Sequence, residues 1–582
     1  MEHIFCVTSI LLNSRPLSLV TCFLLFLKFQ DRLALVKIED LEQLVTDFFE
    51  DLPSSTIVCI TFLGGDYDVL LREILPSSSS SAWMLLSRLN VNRKPIVKIL
   101  PMDLIFEDAA ANSGSESICK GSTSGKKWRC PWDYTLVDDL APQFKTILEE
   151  IYQSSAVILP DSVENRRLWW SRRKNLDDRL NKFLSCIEET WLGPWNCMLL
   201  GEPIDCNDLD SVLLKLRSDM KCKSEFDAKE SLLRVFLGGT RSVSELQAFL
   251  NNRYFVREID ELFGLPHQLI LEAASTLENN CIKREPLIMV LDTEVQVYAP
   301  MGNLAALREQ NHEVYRMPSF GSIFSAVKVN CCLKEQIGRI VPTTFPSIDP
   351  LDAFYLLNPS CDLKEAQKEF EVGFKNHNLK GIAGKVPKAE ELASALKDHD
   401  LFIYIGHGNG MQYILWYEFE RVENCAATVL MGCSSGCISY KGCYNPDGAV
   451  ISYLLAGSPV VITNLWDVTS PDIDRFGKLM FTAMFKERST SSGNCTLCNS
   501  VVEESEIMNK RCYKRNGKKV LGGRKLEETF TNRLNLNCGH RQMIGSFISK
   551  ARDVCALKFL IGAAPVCYGV PTVLCQSYRD FS

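Results

Sequence analysis

Two side chains in this 582-residue sequence stand where nucleophilic chemistry is readily done. His407 lies in Gly406-His407-Gly408, and Cys433 in Gly432-Cys433-Ser434-Ser435-Gly436. Each follows an apolar run directly, Leu401–Ile405 and Ala427–Met431. An imidazole beside a thiol can raise the thiolate fraction or act as general base, which activates a cysteine for attack on a carbonyl. A lone histidine is more often a satisfied structural residue, and a lone cysteine more often belongs to a core. Here each sits between small residues at the end of a strand candidate, which favours catalysis. Of the seven histidines, none of the others follows so clear a strand within a Gly-His-Gly turn.

The spacing agrees with this reading. His407 and Cys433 are 26 residues apart, and a crossover between parallel strands needs about a dozen or more. Neighbouring strand ends lie about 4.8 Å apart, and ligands of open parallel sheets bind beyond the carboxyl ends of the strands. Gly408 and Gly432 let backbone approach a substrate closely. The N–H groups of Gly408 and Cys433 are candidates for an oxyanion hole.

The elements that must position these residues are legible as apolar runs. Leu287–Leu291, Ala353–Leu357, Leu401–Ile405, Ala427–Met431 and Pro459–Thr463 alternate with helical stretches, the pattern of a mostly parallel sheet buried on both faces. Upstream, Thr56–Phe62 and Cys197–Leu200 read as strands, and Pro142–Gln153 and Glu164–Trp191 as helices, the second charged and expected to dock the Trp169-Trp170 pair. The expected organisation is an uncertain segment over 1–35, an α/β unit with a helical insertion over 36–284, and a second α/β unit over 285–582. A polar, charged surface insertion occupies 487–541 of the latter.

Composition bounds the rest. With 46% apolar and 23% charged residues and a net charge of −7, the chain reads as an ordinary globular protein rather than one coating nucleic acid. Its 24 cysteines show no repeated spacing; a chain this long needs no disulfide staples, so they read as buried or free thiols. The apolar run Leu17–Leu27 is too short to span a bilayer. No small-residue cleavage site follows it, so a buried helix or a misassigned start is favoured over a signal peptide.

Several blocks closely resemble the active-site region of separases, especially plant ones: Tyr404–Gly410, Met431–Gly436, Gly457–Pro459 and Asn464–Thr469. Phe354–Pro359, Tyr315–Ser319 and Ile561–Pro565 are also similar to that family. The resemblance covers most of 285–582 and extends more weakly upstream. It implies a caspase-like cysteine endopeptidase with a His407–Cys433 dyad, preceded by a pseudo-protease α/β unit. It implies cleavage of the kleisin subunit of cohesin after arginine in chromosome segregation, inhibition by a securin-like pseudosubstrate, and work in cytoplasm and nucleus without a cofactor, a membrane or sequence-specific nucleic acid. An arginine at the cleavage site needs a planar anionic partner. By resemblance, Asp467 and Asp474 are the candidates for that pocket and Trp466 for its wall; the alternative for both acids, and the favoured one for Asp472, is capping of a helix N-terminus.

Weaker signals complete the reading. Cys495, Cys498, Cys538 and His540 have zinc-ligand types, but the long gap between them favours free thiols over a structural metal. The basic cluster around Lys518-Lys519 reads as a solvated face or a nuclear address. The stretch Val297–Gly302 departs from the separase pattern after the first strand of the second unit, near the expected cleft. The long helical-repeat region usual in separases has no counterpart, so the chain looks like a fragment or truncated form. A catalytically inactive, securin-binding relative is therefore the alternative to an active endopeptidase.

Overall fold

A computed structural model of the chain describes residues 52–63, 83–101, 142–156, 162–247 and 267–295 with short gaps, 312–327, 345–438 with short gaps, 447–491 and 543–574. The N-terminal segment 1–35, Val297–Gly302, the basic cluster and Cys495, Cys498, Cys538 and His540 lie outside these residues. The strands are β1 (Thr56–Leu63), β2 (Trp83–Asn90), β3 (Arg93–Pro101), β4 (Leu287–Leu291), β5 (Val314–Met317), β6 (Ser347–Ile348), β7 (Ala353–Leu357), β8 (Lys380–Ala383), β9 (Leu401–Ile405), β10 (Ala427–Leu430), β11 (Val460–Asn464), β12 (Pro565–Gly569) and β13 (Val573–Leu574). The helices are α1 (Pro142–Ala156), α2 (Val163–Cys186), α3 (Asn207–Asp219), α4 (Lys223–Gly239), α5 (His267–Leu277), α6 (Lys364–Asn376), α7 (Ala389–Asp398), α8 (Ala449–Leu455), α9 (Ser470–Ser491) and α10 (Ile544–Arg552).

Eleven strands form one sheet in the order β3-β2-β1-β4-β5-β12-β11-β10-β9-β7-β8. Its pairings are parallel except β1–β2, β2–β3 and β11–β12, so the expected mostly parallel α/β class is the one found. The apolar runs are buried throughout in β4, β9, β10 and β11, because helices cover both faces. Leu401, Ile403 and Ile405 of β9 face a core that includes Phe370 and Phe374 of α6 and Phe476 and Phe481 of α9. Phe402 and Tyr404 face the opposite core, with Leu392 and Leu396 of α7 and Val450 and Tyr453 of α8. This is the two-residue alternation of a strand.

The sheet does not break at residue 284. β1 pairs in parallel with β4 from Thr56–Leu287 to Ile60–Leu291, so β4 and β5 stand beside β1–β3 although they follow the expected boundary in sequence. Because β12 runs antiparallel to β11 and parallel to β5, the strands β1, β4 and β5 point opposite to β7, β9, β10 and β11. The carboxyl end of β4, which leads toward Val297, therefore lies at the edge opposite Cys433. The expectation that this strand end borders the cleft is corrected on that ground.

Two local expectations also change. Cys197–Leu200 is not a strand: Gly193–Leu199 is a buried 3-10 helix with Pro194 in its first turn. A short apolar run carries no period that separates the two, and the fixed φ of proline suits a helix start. In α2 the docked face is not the tryptophan pair. Ser162 caps the helix by accepting the Asn165 N–H at 3.1 Å, and the buried residues are Arg173, Leu176, Leu180, Phe183 and Leu184, at helical spacing. Trp169 and Trp170 pack edge-on against each other, and Trp170 stays 41% exposed.

A buried carboxylate ties the first half together. Glu202 accepts from Arg88 of β2 at 3.0 Å, Arg234 of α4 at 3.0 Å and Arg93 at 3.1 Å. Removing one member of such a group strands charge in the interior, at a cost of about 3–5 kcal/mol. Glu202→Ala is expected to lower the melting temperature far more than Glu202→Gln; an unchanged melting curve would show that the first half folds without the network.

Candidate active site

Four parallel strands, β7, β9, β10 and β11, end at one edge of the sheet, and each delivers part of the site. β9 pairs with β10 from Leu401–Ala427 to Tyr404–Leu430, and β10 with β11. His407 and Cys433 thus leave adjacent strand ends, as expected. The turns pack so closely that a Cβ on Gly432 would lie 2.0 Å from the Gly408 carbonyl oxygen. The glycine is required by the protein's own backbone, since no side chain fits there. Gly408 itself has φ +65 and open space where a Cβ would be.

The turn after Cys433 is held firmly. Ser434 adopts φ 49, a left-handed conformation that costs energy for a residue with a Cβ. Its N–H donates to the Trp466 carbonyl at 3.2 Å and its hydroxyl to Asp467 Oδ1 at 2.6 Å. Ser435 donates to the Leu430 carbonyl at 2.9 Å and accepts the Asn464 N–H at 3.1 Å. Asn464 Nδ2 reaches the Gly432 carbonyl at 3.1 Å. The strand ends of β10 and β11 are therefore laced together around Cys433.

The two reactive groups are brought to one edge but are not hydrogen-bonded to each other. The half-buried Cys433 thiol donates to the Val468 carbonyl at 3.2 Å. The His407 Nε2 lies 2.8 Å from Asp362 Oδ2, in an exposed pair. Asp362 was not singled out from the sequence. It follows β7, the neighbour of β9, and the strand-end rule applied to β7 would have found it. Buried Asn358 shapes that loop: its N–H donates to the Ile405 carbonyl at 2.7 Å and its Oδ1 accepts from Leu363 N at 2.9 Å. The hydrogen bond from His407 holds the Asp362 carboxyl below its usual range.

The two acids expected for an arginine pocket, Asp467 and Asp474, and Asp472, expected to cap a helix, have three different environments. Asp467 sits against the Cys433 turn through Ser434 and is close enough to act on the Cys433 thiol. Asp472 is buried and structural, accepting the N–H groups of Ala556 at 2.9 Å and Leu557 at 3.0 Å. Asp474 of α9 accepts from Ser470 at 3.3 Å, and burial pushes its carboxyl up to about 6. Trp466 is buried, donating to the Leu560 carbonyl at 2.7 Å and packing edge-on against Phe144. Its indole supplies packing, and its carbonyl supports the Ser434 turn. Among the described residues no cluster of His, Cys, Asp and Glu is placed to hold a metal ion, and no helix is long and apolar enough to cross a membrane.

The model of the separin protease domain matches residues 79–473. The chain belongs to the separin protease-domain family. The match takes in His407, Cys433 and Asp467, crosses residue 284 without interruption and stops one residue short of Asp474. Separin of Schizosaccharomyces pombe is 27% identical over 436 residues, covering 71% of this chain and 21% of its own. Separin of Mus musculus is 28% identical over 444 residues, covering 74% and 18%. The chain thus spans about a fifth of the length of these curated relatives. The separase of the Saccharomyces cerevisiae separase–securin complex shares the fold, with a TM-score of 0.59 and 20% identity over 91% of this chain and 31% of that one.

Burial pushes the Cys433 thiol above its ordinary range; nearby Asp467 adds to this, while the Val468 backbone and Arg173 oppose it. Alkylation of Cys433 by iodoacetamide, followed on its own peptide by mass spectrometry, is expected to rise with pH only above the range of a free cysteine. Asp467→Asn is expected to move that rise to lower pH. A wild-type profile at or below that of free cysteine, or an upward move in the variant, would contradict the assignment.

Proposed function

We propose that the chain is the catalytic portion of a separase-type cysteine endopeptidase that cuts the kleisin subunit of cohesin after arginine to release sister chromatids. In this reading it works in cytoplasm and nucleus under a securin-like inhibitor, and residues 36–284 are its pseudo-protease part. The observation that carries the proposal is the delivery of His407 and Cys433 to one sheet edge by paired strands, with a carboxylate on the imidazole. Membership of the family supports it, as does the likeness to a separase whose structure was determined with securin.

The chemistry follows from which nitrogen is engaged. Asp362 occupies Nε2, so the Nε2–H tautomer leaves the Nδ1 lone pair to accept the Cys433 proton. A neutral thiol at rest makes that base necessary. The thiolate attacks the scissile carbonyl, and the N–H groups of Gly408 and Cys433 stabilise the oxyanion. The imidazolium then protonates the departing amine, and water hydrolyses the thioester with the imidazole again as base. The resting thiol must leave Val468 and turn to His407. That requirement is also what favours the second reading, an inactive securin-binding relative in which the turn does not occur.

Labelling with an arginine-ended acyloxymethyl ketone peptide separates the two. Label on the wild type, lost in Cys433→Ser and at least a hundredfold slower in His407→Ala, supports the endopeptidase. Folded wild-type protein that takes no label supports the inactive form.

Of the two pocket acids, Asp474 is the better acceptor for the substrate arginine. Asp467 is engaged by Ser434 at 2.6 Å, whereas half-buried Asp474 accepts only a longer bond from Ser470, at 3.3 Å, and its carboxyl gains most from a guanidinium. A carboxyl near 6 is ionised above that pH and neutral below it, so KM for an arginine peptide should rise as pH falls through about 6. Asp474→Asn is expected to abolish that limb and to cost more than a hundredfold in kcat/KM. Lysine peptides are expected to be much poorer throughout. An acid limb that survives in Asp474→Asn but disappears in Asp467→Asn moves the pocket to Asp467.

A further inference from the structure

The nucleophile lies on the second half of the chain, but one buried cation near it comes from the first. Arg173 belongs to α2, is 2% exposed, and heads the buried face continued by Leu176 and Leu180. Its guanidinium lies over the Trp169 ring, 5.2 Å from the centroid, and within electrostatic reach of both Asp467 and Cys433.

The docking of α2 is specific. One turn beyond Arg173, Asp177 Oδ1 accepts the N–H groups of Phe559 at 2.9 Å and Leu560 at 2.6 Å. The Leu560 carbonyl in turn receives the Trp466 indole N–H at 2.7 Å. Trp466 packs on Phe144 of α1, and Phe144 stacks on Phe183 of α2 at 5.4 Å. Trp466 is the residue immediately before Asp467, and its carbonyl holds the Ser434 N–H. A closed path of contacts thus runs from α2 to the turn that carries Cys433.

We propose that Arg173 is a positioning residue for Cys433: carried in by α2, its guanidinium steadies Asp467 and offsets that carboxylate's negative charge at the nucleophile. A carboxylate beside a cysteine opposes thiolate formation, and a cation favours it. Cys433 and Asp467 are half-buried, so both charges are screened less than in bulk water. Asp467 can therefore order the Ser434 turn without silencing the thiol only while α2 is docked. The first half of the chain would then complete the active site instead of merely flanking it.

The proposal deepens the endopeptidase reading and rests on Cys433 being its nucleophile. Its test does not need cleavage. In the full chain, alkylation of Cys433 by iodoacetamide is followed against pH for wild type, Arg173→Met, Arg173→Lys and Asp177→Ala. Arg173→Met is expected to move the profile to higher pH and slow alkylation by roughly three- to tenfold at a fixed pH below the rise. Arg173→Lys is expected to restore most of the rate, because it keeps the charge. Asp177→Ala, which keeps the Arg173 side chain but loosens the helix that carries it, is expected to move the profile the same way. A wild-type profile in folded Arg173→Met overturns the proposal. If that variant does not fold, a wild-type profile in folded Asp177→Ala overturns it equally. Loss of peptide labelling with the alkylation pattern as expected would instead count against the endopeptidase reading alone.

Discussion

The candidate site depends on the parallel pairing of β9 with β10. That ladder brings Tyr404 opposite Leu430 and sends both chains out of the sheet at the same level. The turns that follow then meet backbone to backbone, with Gly432 against the Gly408 carbonyl. Because side chains in a strand alternate, a slip of one residue would exchange the faces of every residue in β9 or β10. Two buried cores, one on each face, fix the register. The position of the chemistry is therefore a consequence of core packing, and β7 and β11 extend it by placing Asp362 and Asp467 on either side.

The electrostatics of the edge describe a site at rest. A half-buried thiol bonded to a carbonyl is neutral, and an exposed imidazole bonded to a carboxylate is oriented but turned aside. The hydrogen bond to Asp362 selects the free nitrogen, which is the usual way a second group sets a histidine's role. Activation in the proposed mechanism then needs the thiol to leave the Val468 carbonyl for His407.

The division between the two halves is less sharp in space than along the chain. One sheet runs through both, and the family match crosses residue 284. Helix α2 reaches the residues around Leu560 and Trp466 through Asp177 and the Phe144–Phe183 stack. The first half thereby packs directly on the residues that support the Cys433 turn.

Much of this was legible in the residues. Long apolar runs punctuated by Gly-His-Gly and Gly-Cys-Ser located β9, β10 and both reactive groups, since continuous burial and strand-end turns are local patterns. The blocks around them identified the family. Other features were set by contacts between distant segments, which no local pattern encodes. The sequence could not show that β4 runs opposite to β10, because strand direction depends on how β12 joins the sheet. It could not separate the acids after β11: Asp472 became a buried backbone clamp, Asp467 a support for the Ser434 turn and Asp474 a carboxyl raised by burial. It also could not place Asp362 on His407, 45 residues away, or Arg173 near Cys433. The residue types after β9 and β10 named the candidate pair; tertiary packing decided which charges surround it, because burial and proximity belong to the folded molecule alone.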